Sequence, residues 1–417
     1  MNVAYDDEIL ERFIPITFDE LLEKIVKDFN IEQYQSQQFA SLLRSFYHTR
    51  LHEDLLKLKN LYLPFNPDAD TLTLATYTDE EYHHIKTELV DHIKPLLNSA
   101  NYEELTEEML AESMGKTSPY GVEVSVDFDD FEDISIFFRG EAHRFDEKRQ
   151  LKTLFLKKEK LRIDIYRRLF ILLKPKTLDQ RAEEISKIKG MPLEKVKKQL
   201  RKSNHLLLDG PKRERIFMKL FKDIPHEDLE MLFPNTKVKM SLPDKVKIGV
   251  TGGGGTVGGV VTLISKISMV IDPLSLIIAV GTFGGVLWRQ IKNIFTHRTH
   301  YMAKLAKNLY FYNLDNNAGV LTYMIDMAEA EESKEALLAY LFLLSNAHGL
   351  SRDQLDKQIE NYILENYKVP MDFEVDDGIT KLLKLGLIEE SEGMFKALDL
   401  EKAIVRLQIE SRKQLDI

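Results

Sequence analysis

IGVTGGGGTVGGVVTLISKISMVI (248–271), DP (272–273) and LSLIIAVGTFGGVLW (274–288) form the stretch on which the architecture of this chain turns. Across it the only charges are Lys266 and Asp272. Two apolar runs joined by Asp272-Pro273 have the pattern of a helical hairpin in a bilayer, because a proline after an acidic residue ends one helix and opens the next. At about 1.5 Å per residue the first run reaches roughly 36 Å, enough for a hydrocarbon core of about 30 Å. The second run is shorter and borrows Arg289 to Phe295, with Arg289 and Lys292 snorkelling to the interface. Trp288 falls where an interfacial aromatic belongs. Gly254 with Gly258, Gly255 with Gly259, and Gly281 with Gly285 are small-xxx-small pairs that let helix backbones approach in lipid. Lysines and arginines flank both ends of the hairpin, which places both large flanking parts on the cytoplasmic side.

Two other readings fit the same residues. One is a helical hairpin buried in a soluble domain. The other is a dinucleotide-binding turn: Gly253, Gly255 and Gly258 satisfy G-x-G-x-x-G, and Asp272 stands 19 residues beyond Gly253, where a ribose-binding carboxylate belongs. Any tract this rich in glycine meets that pattern by chance. Beyond Trp288 no strand–helix alternation follows to complete a doubly wound sheet. On the dinucleotide reading the protein is a soluble or peripheral nucleotide-binding enzyme.

The 417-residue chain is long enough for two or three domains. Its net charge of −10 argues against a general nucleic-acid binder. The absence of cysteine excludes disulfides, thiol nucleophiles and cysteine metal sites. MNVAYDDEILERF at the start is acidic and has no apolar signal core, so membrane targeting is expected from the internal hairpin alone.

Residues 1–120 read as helical. Thr17-Phe-Asp-Glu20 is a capping box ahead of Leu21, Leu22, Ile25 and Val26. A second helix runs from Phe39 to Leu55 and breaks at Tyr62-Leu-Pro-Phe-Asn-Pro67; a third starts at Asp79, and a fourth carries Leu105, Met109 and Leu110. From Gly121 the period changes to two. Val122, Val124 and Val126, Ile134 to Arg139, Thr153 to Leu156, Leu161 to Leu173 and Arg215 to Phe221 read as strands of an antiparallel sheet. A helix–turn–helix (178–202) is inserted, with a basic second helix carrying Lys195, Lys197, Lys198, Arg201 and Lys202. A solvated face is the first reading of that helix, lipid headgroups the second and duplex DNA the third. Tyr301 to Asp315 and Asn317 to Met327 read as helices joined by a polar cluster of Asn313, Asp315, Asn316 and Asn317 that caps both. Ala336 to Leu344 is too short to span a bilayer and reads as a core helix. Helices at 351–362 and 375–385, strand-like Gly386 to Ile388 and Met394 to Leu398, and a last helix from Leu400 follow a winged-helix pattern. Glu374, Asp376 and Asp377 open the would-be recognition helix and repel phosphate, which favours protein docking over DNA.

These residues carry a resemblance. Arg12-Phe-Ile-Pro-Ile16, the strand end Arg139-Gly140, Lys219 to Pro234, Lys237-Val-Lys-Met240 and Tyr310 to Asn317 together resemble the transmembrane protein 143-like family, also called domain of unknown function 3754, from near residue 10 to the C-terminus. The resemblance implies a membrane protein, mitochondrial in eukaryotes, with no established activity and no catalytic residues to carry over.

Other chemistry is thin. Gly115-Lys-Thr-Ser118 matches the tail of a phosphate loop, but Leu110 stands where its first glycine should be. His84, Glu88 and His92 share a helix face at ligand spacing but lack a distant partner. Asp68 and Asp70 read as a solvated turn. His226, Glu227 and Asp228 follow Pro225 at a helix start, where carboxylates favour the dipole. The expected molecule is therefore α+β, with domains at 1–120, 121–245, 246–295 (the transmembrane hairpin), 296–350 and 351–417. It is expected to be a multi-pass membrane protein with two membrane helices, in the cytoplasmic membrane if bacterial and a mitochondrial membrane if eukaryotic. Its expected role is that of a non-catalytic scaffold or adaptor, without cofactor or metal. Its partners would be membrane lipid, a protein docked on the C-terminal module and a second copy packed through the glycine seams.

Overall fold

The computed structural model describes residues 10–70, 77–106, 108–110, 123–149, 158–203, 215–239 and 310–415. The chain divides into two compact units, one holding Met1–Leu105, Asp129–Pro225 and Leu314–Ile417, the other Thr106–Phe128 and His226–Asn313.

The first unit is built on an antiparallel sheet. Strands β1 (Glu103–Glu104), β3 (Phe131–Arg149), β4 (Lys158–Pro175), β5 (Phe217–Pro225) and β7 (Asn313–Asn316) lie in the order β1-β3-β4-β5-β7. Phe137 faces Phe170 across β3 and β4, and Phe170 faces Leu220 across β4 and β5. Side chains two apart share a face, so Phe137, Phe170, Leu172, Met218 and Leu220 form one apolar surface. It buries against the second half of α2 (Gln33–Tyr62), α3 (Asp79–Ser99) and the first half of α6 (Ala318–Ser345). Helices α4 (Leu178–Lys189) and α5 (Leu193–Ser203) are inserted between β4 and β5.

A second apolar cluster fills the other end of this unit. It joins α1 (Phe18–Asp28), the first half of α2, Ala336 to Leu343 of α6, α7 (Arg352–Tyr367), α8 (Val375–Leu385) and α9 (Leu400–Leu415). Three short strands, β8 (Leu350–Ser351), β9 (Ile388–Ser391) and β10 (Met394–Ala397), run in the order β8-β10-β9. Helix α6 therefore passes from one core into the other. Helix starts carry side-chain caps of the expected chemistry at Thr17 and Asp399 and at the reciprocal pairs Thr78/Glu81, Thr177/Gln180 and Ser351/Gln354. In the second unit, β2 (Glu123–Ser125) pairs antiparallel with β6 (Lys237–Lys239), and a 3-10 helix spans His226–Leu232.

Several expectations need correction. Among the described residues no helix is long and apolar enough to cross a membrane. The membrane hairpin, the membrane fold class and the multi-pass placement built on it are therefore withdrawn. Gly254, Gly255, Gly258, Gly259, Asp272, Pro273, Gly281, Gly285 and Trp288 lie outside the described residues. The 28-residue α6 is long enough in itself, but it carries Asp326, Glu329, Glu331, Glu332, Lys334 and Glu335 ahead of its apolar half, and that half is used in the core. The two helices expected at Asn317 to Met327 and Ala336 to Leu344 are this single helix. Asn313 to Asn316, expected at a joint between helices, is edge strand β7. Glu103 and Glu104, just ahead of the expected fourth helix, pair with β3 instead. The Val124 strand pairs with β6, away from the main sheet.

Within the long β3–β4 ladder Gly140 adopts φ +71°. A Cβ there would stand 2.8 Å from the Phe13 ring and 2.9 Å from Glu11 Oε2. Gly140→Ala is expected to cost roughly 1–3 kcal/mol, combining a strained backbone with displacement of the segment around Phe13. Urea denaturation of the full chain measures this.

Candidate functional site

The centre of the first unit is a turn of α6 whose side chains are almost wholly buried. Glu331, Glu332, Ser333, Lys334 and Glu335 are consecutive, and none is more than 6% exposed. Five successive residues point all the way round a helix, so α6 is enclosed on every side here. Charge buried this way requires partners, and four different parts of the chain supply them.

Residues 11–16 cross the helix as an extended strap. Glu331 Oε2 accepts from the Ile14 N–H at 2.9 Å, and Lys334 Nζ donates to the Ile14 carbonyl. Two side chains thus satisfy the main chain of a buried strap residue as a neighbouring strand would. Lys334 also donates to Glu331 Oε1 at 2.7 Å. Two residues earlier in the strap, the Arg12 carbonyl accepts from Asn101 Nδ2 at 2.9 Å; that amide donates as well to Glu335 Oε1 at 2.9 Å. Glu11 exchanges backbone hydrogen bonds with Pro370 and Asp372 in the segment between α7 and α8.

Helix α8 meets the same turn. Gly378 lets it approach, with its Cβ position 3.3 Å from Ala339. Lys381 Nζ then reaches Glu335 Oε2 at 2.5 Å, Asp377 at 2.6 Å and Glu332 at 3.1 Å. Arg50 of α2 stands 3.7 Å from Glu332. Burial opposes the charge on Lys381, but Glu335, Glu332 and Asp377 together raise its pKa. Burial pushes the Glu335 carboxyl up to about 7, against the pull of Lys381. Glu11 is likewise pushed up to about 7 by burial, opposed by Arg167 at 3.2 Å.

Beside the strap a cleft of about 780 Å³ opens onto α6. Phe13, Tyr323 and Met327 line it together with Arg44, His48, Arg139, Ser333 and Lys334. The Arg139 guanidinium lies over the Phe13 ring at 4.6 Å and the Tyr102 ring at 5.7 Å. At the rim Arg44 pairs with Asp19 at 3.2 Å and His48 with Glu329 at 2.9 Å.

The residues singled out by sequence fare differently. Arg12 to Ile16 and Arg139-Gly140, more than a hundred positions apart, meet in this site. Gly253, Gly255, Gly258 and Asp272 of the dinucleotide reading lie outside the described residues. Asn317 is an internal strut: its N–H donates to the Met218 carbonyl at 2.7 Å, its Oδ1 accepts from Met218 N at 3.1 Å, and its Nδ2 donates to Asp68. Asn316 Oδ1 accepts from Lys219 at 3.1 Å, the Asp315 carboxylate packs against Gly319 at the start of α6, and Asn313 opens β7. On α3, Glu88 pairs with Lys57 at 3.3 Å and His92 Nδ1 lies 2.7 Å from the Glu88 carbonyl. Among the described residues no group of three or more His, Cys, Asp or Glu side chains is placed to hold a metal ion. Sequence reading missed Glu331, Glu332, Lys334, Glu335 and Lys381, because a charged run between apolar spans looks like a solvated linker. One signal was available: no glycine or proline interrupts Val320 to His348, so nothing stops the helix.

Fold and site define an α+β protein whose charged centre is internal and joins segments remote in sequence. Residues 131–319 match the family model described as "Protein of unknown function (DUF3754)", so this part of the chain is similar to that family. The match takes in β3, β4, β5, β7 and the first residues of α6, and ends before the charged turn. No solved structure matches the chain.

Two outcomes follow from the buried network. Lys381→Met leaves Glu335 and Glu332 buried without their cation and is expected to cost about 3–5 kcal/mol, read by chemical denaturation. Glu335 and Glu11 bind a proton more tightly folded than unfolded, so their stabilising contribution is complete below about pH 4.5 and is lost as pH rises through about 7. Denaturation curves across pH 5 to 8 should show that decline. In Glu335→Gln the decline should be shallower.

Proposed function

We propose that this protein is a non-catalytic adaptor whose C-terminal module, residues 350–415, presents an acidic surface to a basic protein partner. The observation that carries this reading is the way α8 is held. Its inner face is fixed to α6 through Gly378 and Lys381, and the β9–β10 hairpin beyond it leaves Glu389, Glu390 and Glu392 exposed. At the start of α8, Asp376 is clamped by both Arg352 Nε and Nη2. A surface held this firmly binds with little ordering cost. The order of α7, α8, two-stranded wing and α9 supports a winged-helix module, and its acidity opposes a nucleic-acid partner.

Kinship with transmembrane protein 143-like proteins, finer than the matched domain, belongs to the same proposal. It is supported by the meeting of Arg12 to Ile16 with Arg139-Gly140 in one site.

The test is quantitative capture of partners by the tagged full-length chain and by a Glu389→Lys, Glu390→Lys, Glu392→Lys variant. An adaptor of this kind is expected to lose at least one stoichiometric basic partner on charge reversal, with its fold intact by circular dichroism. An unchanged partner set would overturn the docking face. Saturable dinucleotide binding, abolished in Gly255→Leu and Gly258→Leu, would replace the adaptor with an enzyme.

A further inference from the structure

The inserted helix pair, α4 and α5, sorts its charges by position. Near its base the acids are engaged by neighbouring cations. Asp179 holds Lys197 at 2.8 Å, and Glu184 holds Lys176 at 2.7 Å and Arg181 at 3.2 Å. Arg181 also reaches Asp130 at 3.1 Å, which fastens α4 to the residue preceding β3.

The other end is basic. From Lys187 to Lys202 there are seven lysines and arginines against one acid, Glu194, in a chain whose net charge is −10. Lys187, Lys189, Lys195 and Lys198 are exposed. Glu194 is exposed too and lies 3.9 Å from Lys197. Glu183, also exposed, stands more than one turn further from the apex along α4. Amid these lysines Ile188 is 77% exposed. A lone exposed isoleucine is ordinary on a protein surface. This one is followed within five residues by Met191, Pro192 and Leu193, of which Pro192 is exposed and the other two are half-buried. The apex is also held in shape. Gly190 closes α4 at φ +63°, and Ser186 Oγ donates to the Met191 carbonyl at 2.6 Å. The three-residue turn to α5 brings Ile188 beside the helical turn that carries Lys195.

Three kinds of partner match a basic apex: nucleic acid, an acidic protein and an anionic membrane surface. Phosphate contacts on a duplex would leave Ile188 in water, and residues 178–203 contain no aromatic ring to stack on a base. An acidic protein would need a recess shaped to receive the isoleucine. The end of a helical hairpin is convex, and a lipid headgroup layer yields around it. Binding there draws on apolar burial and on attraction to anionic lipid together, with lysine stems lying along the apolar boundary.

We infer that the α4–α5 apex docks on an anionic lipid surface, with Ile188 entering the headgroup layer and Lys187, Lys189, Lys195 and Lys198 set against the headgroup anions around it. Such attachment involves one face of a bilayer and requires no spanning helix. It is independent of the adaptor reading, because Glu389, Glu390 and Glu392 lie on the C-terminal module.

The test floats the full-length chain with vesicles of phosphatidylcholine alone and of phosphatidylcholine mixed with phosphatidylserine. Binding to the mixed vesicles only, weakening as salt rises, is expected. Lys187→Gln, Lys189→Gln, Lys195→Gln and Lys198→Gln should each weaken it about fivefold, and Ile188→Ser about tenfold. All five positions are exposed, so the variants should keep the parent's circular dichroism and melting temperature. Failure to bind, equal binding to both vesicle types, or undiminished binding in folded Ile188→Ser or in the fourfold lysine variant overturns the inference. Capture by duplex DNA or by an acidic polypeptide in place of the vesicles overturns it as well, and assigns the apex to that class.

Discussion

Glu335 and Lys381 meet at 2.5 Å in the interior of the protein, and the rest of the first unit is arranged to make that contact tolerable. Moving two charges out of water costs several kcal/mol per ion, and their mutual attraction repays this only when the remaining lone pairs and protons are also satisfied. Asn101 takes the second Glu335 oxygen, while Glu332 and Asp377 share the ammonium. Each of these partners arrives on a different element. The pair therefore adds little net stability over an apolar core of the same volume. What it contributes is a unique docking position for α8 against α6, since sliding α8 by one turn would leave several charges buried alone.

The strap repeats this logic with main-chain groups. Pro15 has no N–H, and beyond the backbone bridge at Glu11 the extended segment lies on a helix, which offers no ladder. Glu331 and Lys334 take the place of that partner for Ile14, and Asn101 does so for Arg12. Gly140 is the geometric counterpart on the sheet, clearing the space that Phe13 and Glu11 fill. The segment similar to the family of unknown function contains Gly140 and Arg139, whereas the strap, the charged turn and Lys381 lie outside it. The site is thus a junction between the matched and unmatched parts of the chain.

Much of this was legible in residue patterns and some was not. Period-two alternation located β3, β4 and β5, and the sequence pattern also marked the inserted helix pair at 178–202 and the two strand segments that become β9 and β10. The capping residue Thr17 marked a true helix start. Helix α6 was read as two pieces because Glu329 to Glu335 has the composition of a surface linker, and composition carries no information about what surrounds a helix. The pairing of Val124 with β6 was hidden for a different reason: alternation identifies a strand but not its neighbour. The hairpin at 248–288 was read from apolar length, the Asp272-Pro273 break, glycine spacing and flanking charge, and these residues lie outside the described ones.

The strap also bears on how this chain is made. Ile14 is bonded to Glu331 and Lys334 across more than three hundred residues, and Tyr362 reaches back to Asp28. At about 5–20 residues per second, the ribosome needs roughly 15 to 60 seconds to deliver α6 after the strap has emerged. Until then Ile14, Leu21, Ile25, Phe39 and Leu43 have no core to enter. The N-terminal helices must wait with their apolar faces uncovered, so folding of this unit is completed only once α6 and the helices that follow it have been made, and an apolar-binding chaperone has most to offer in that window.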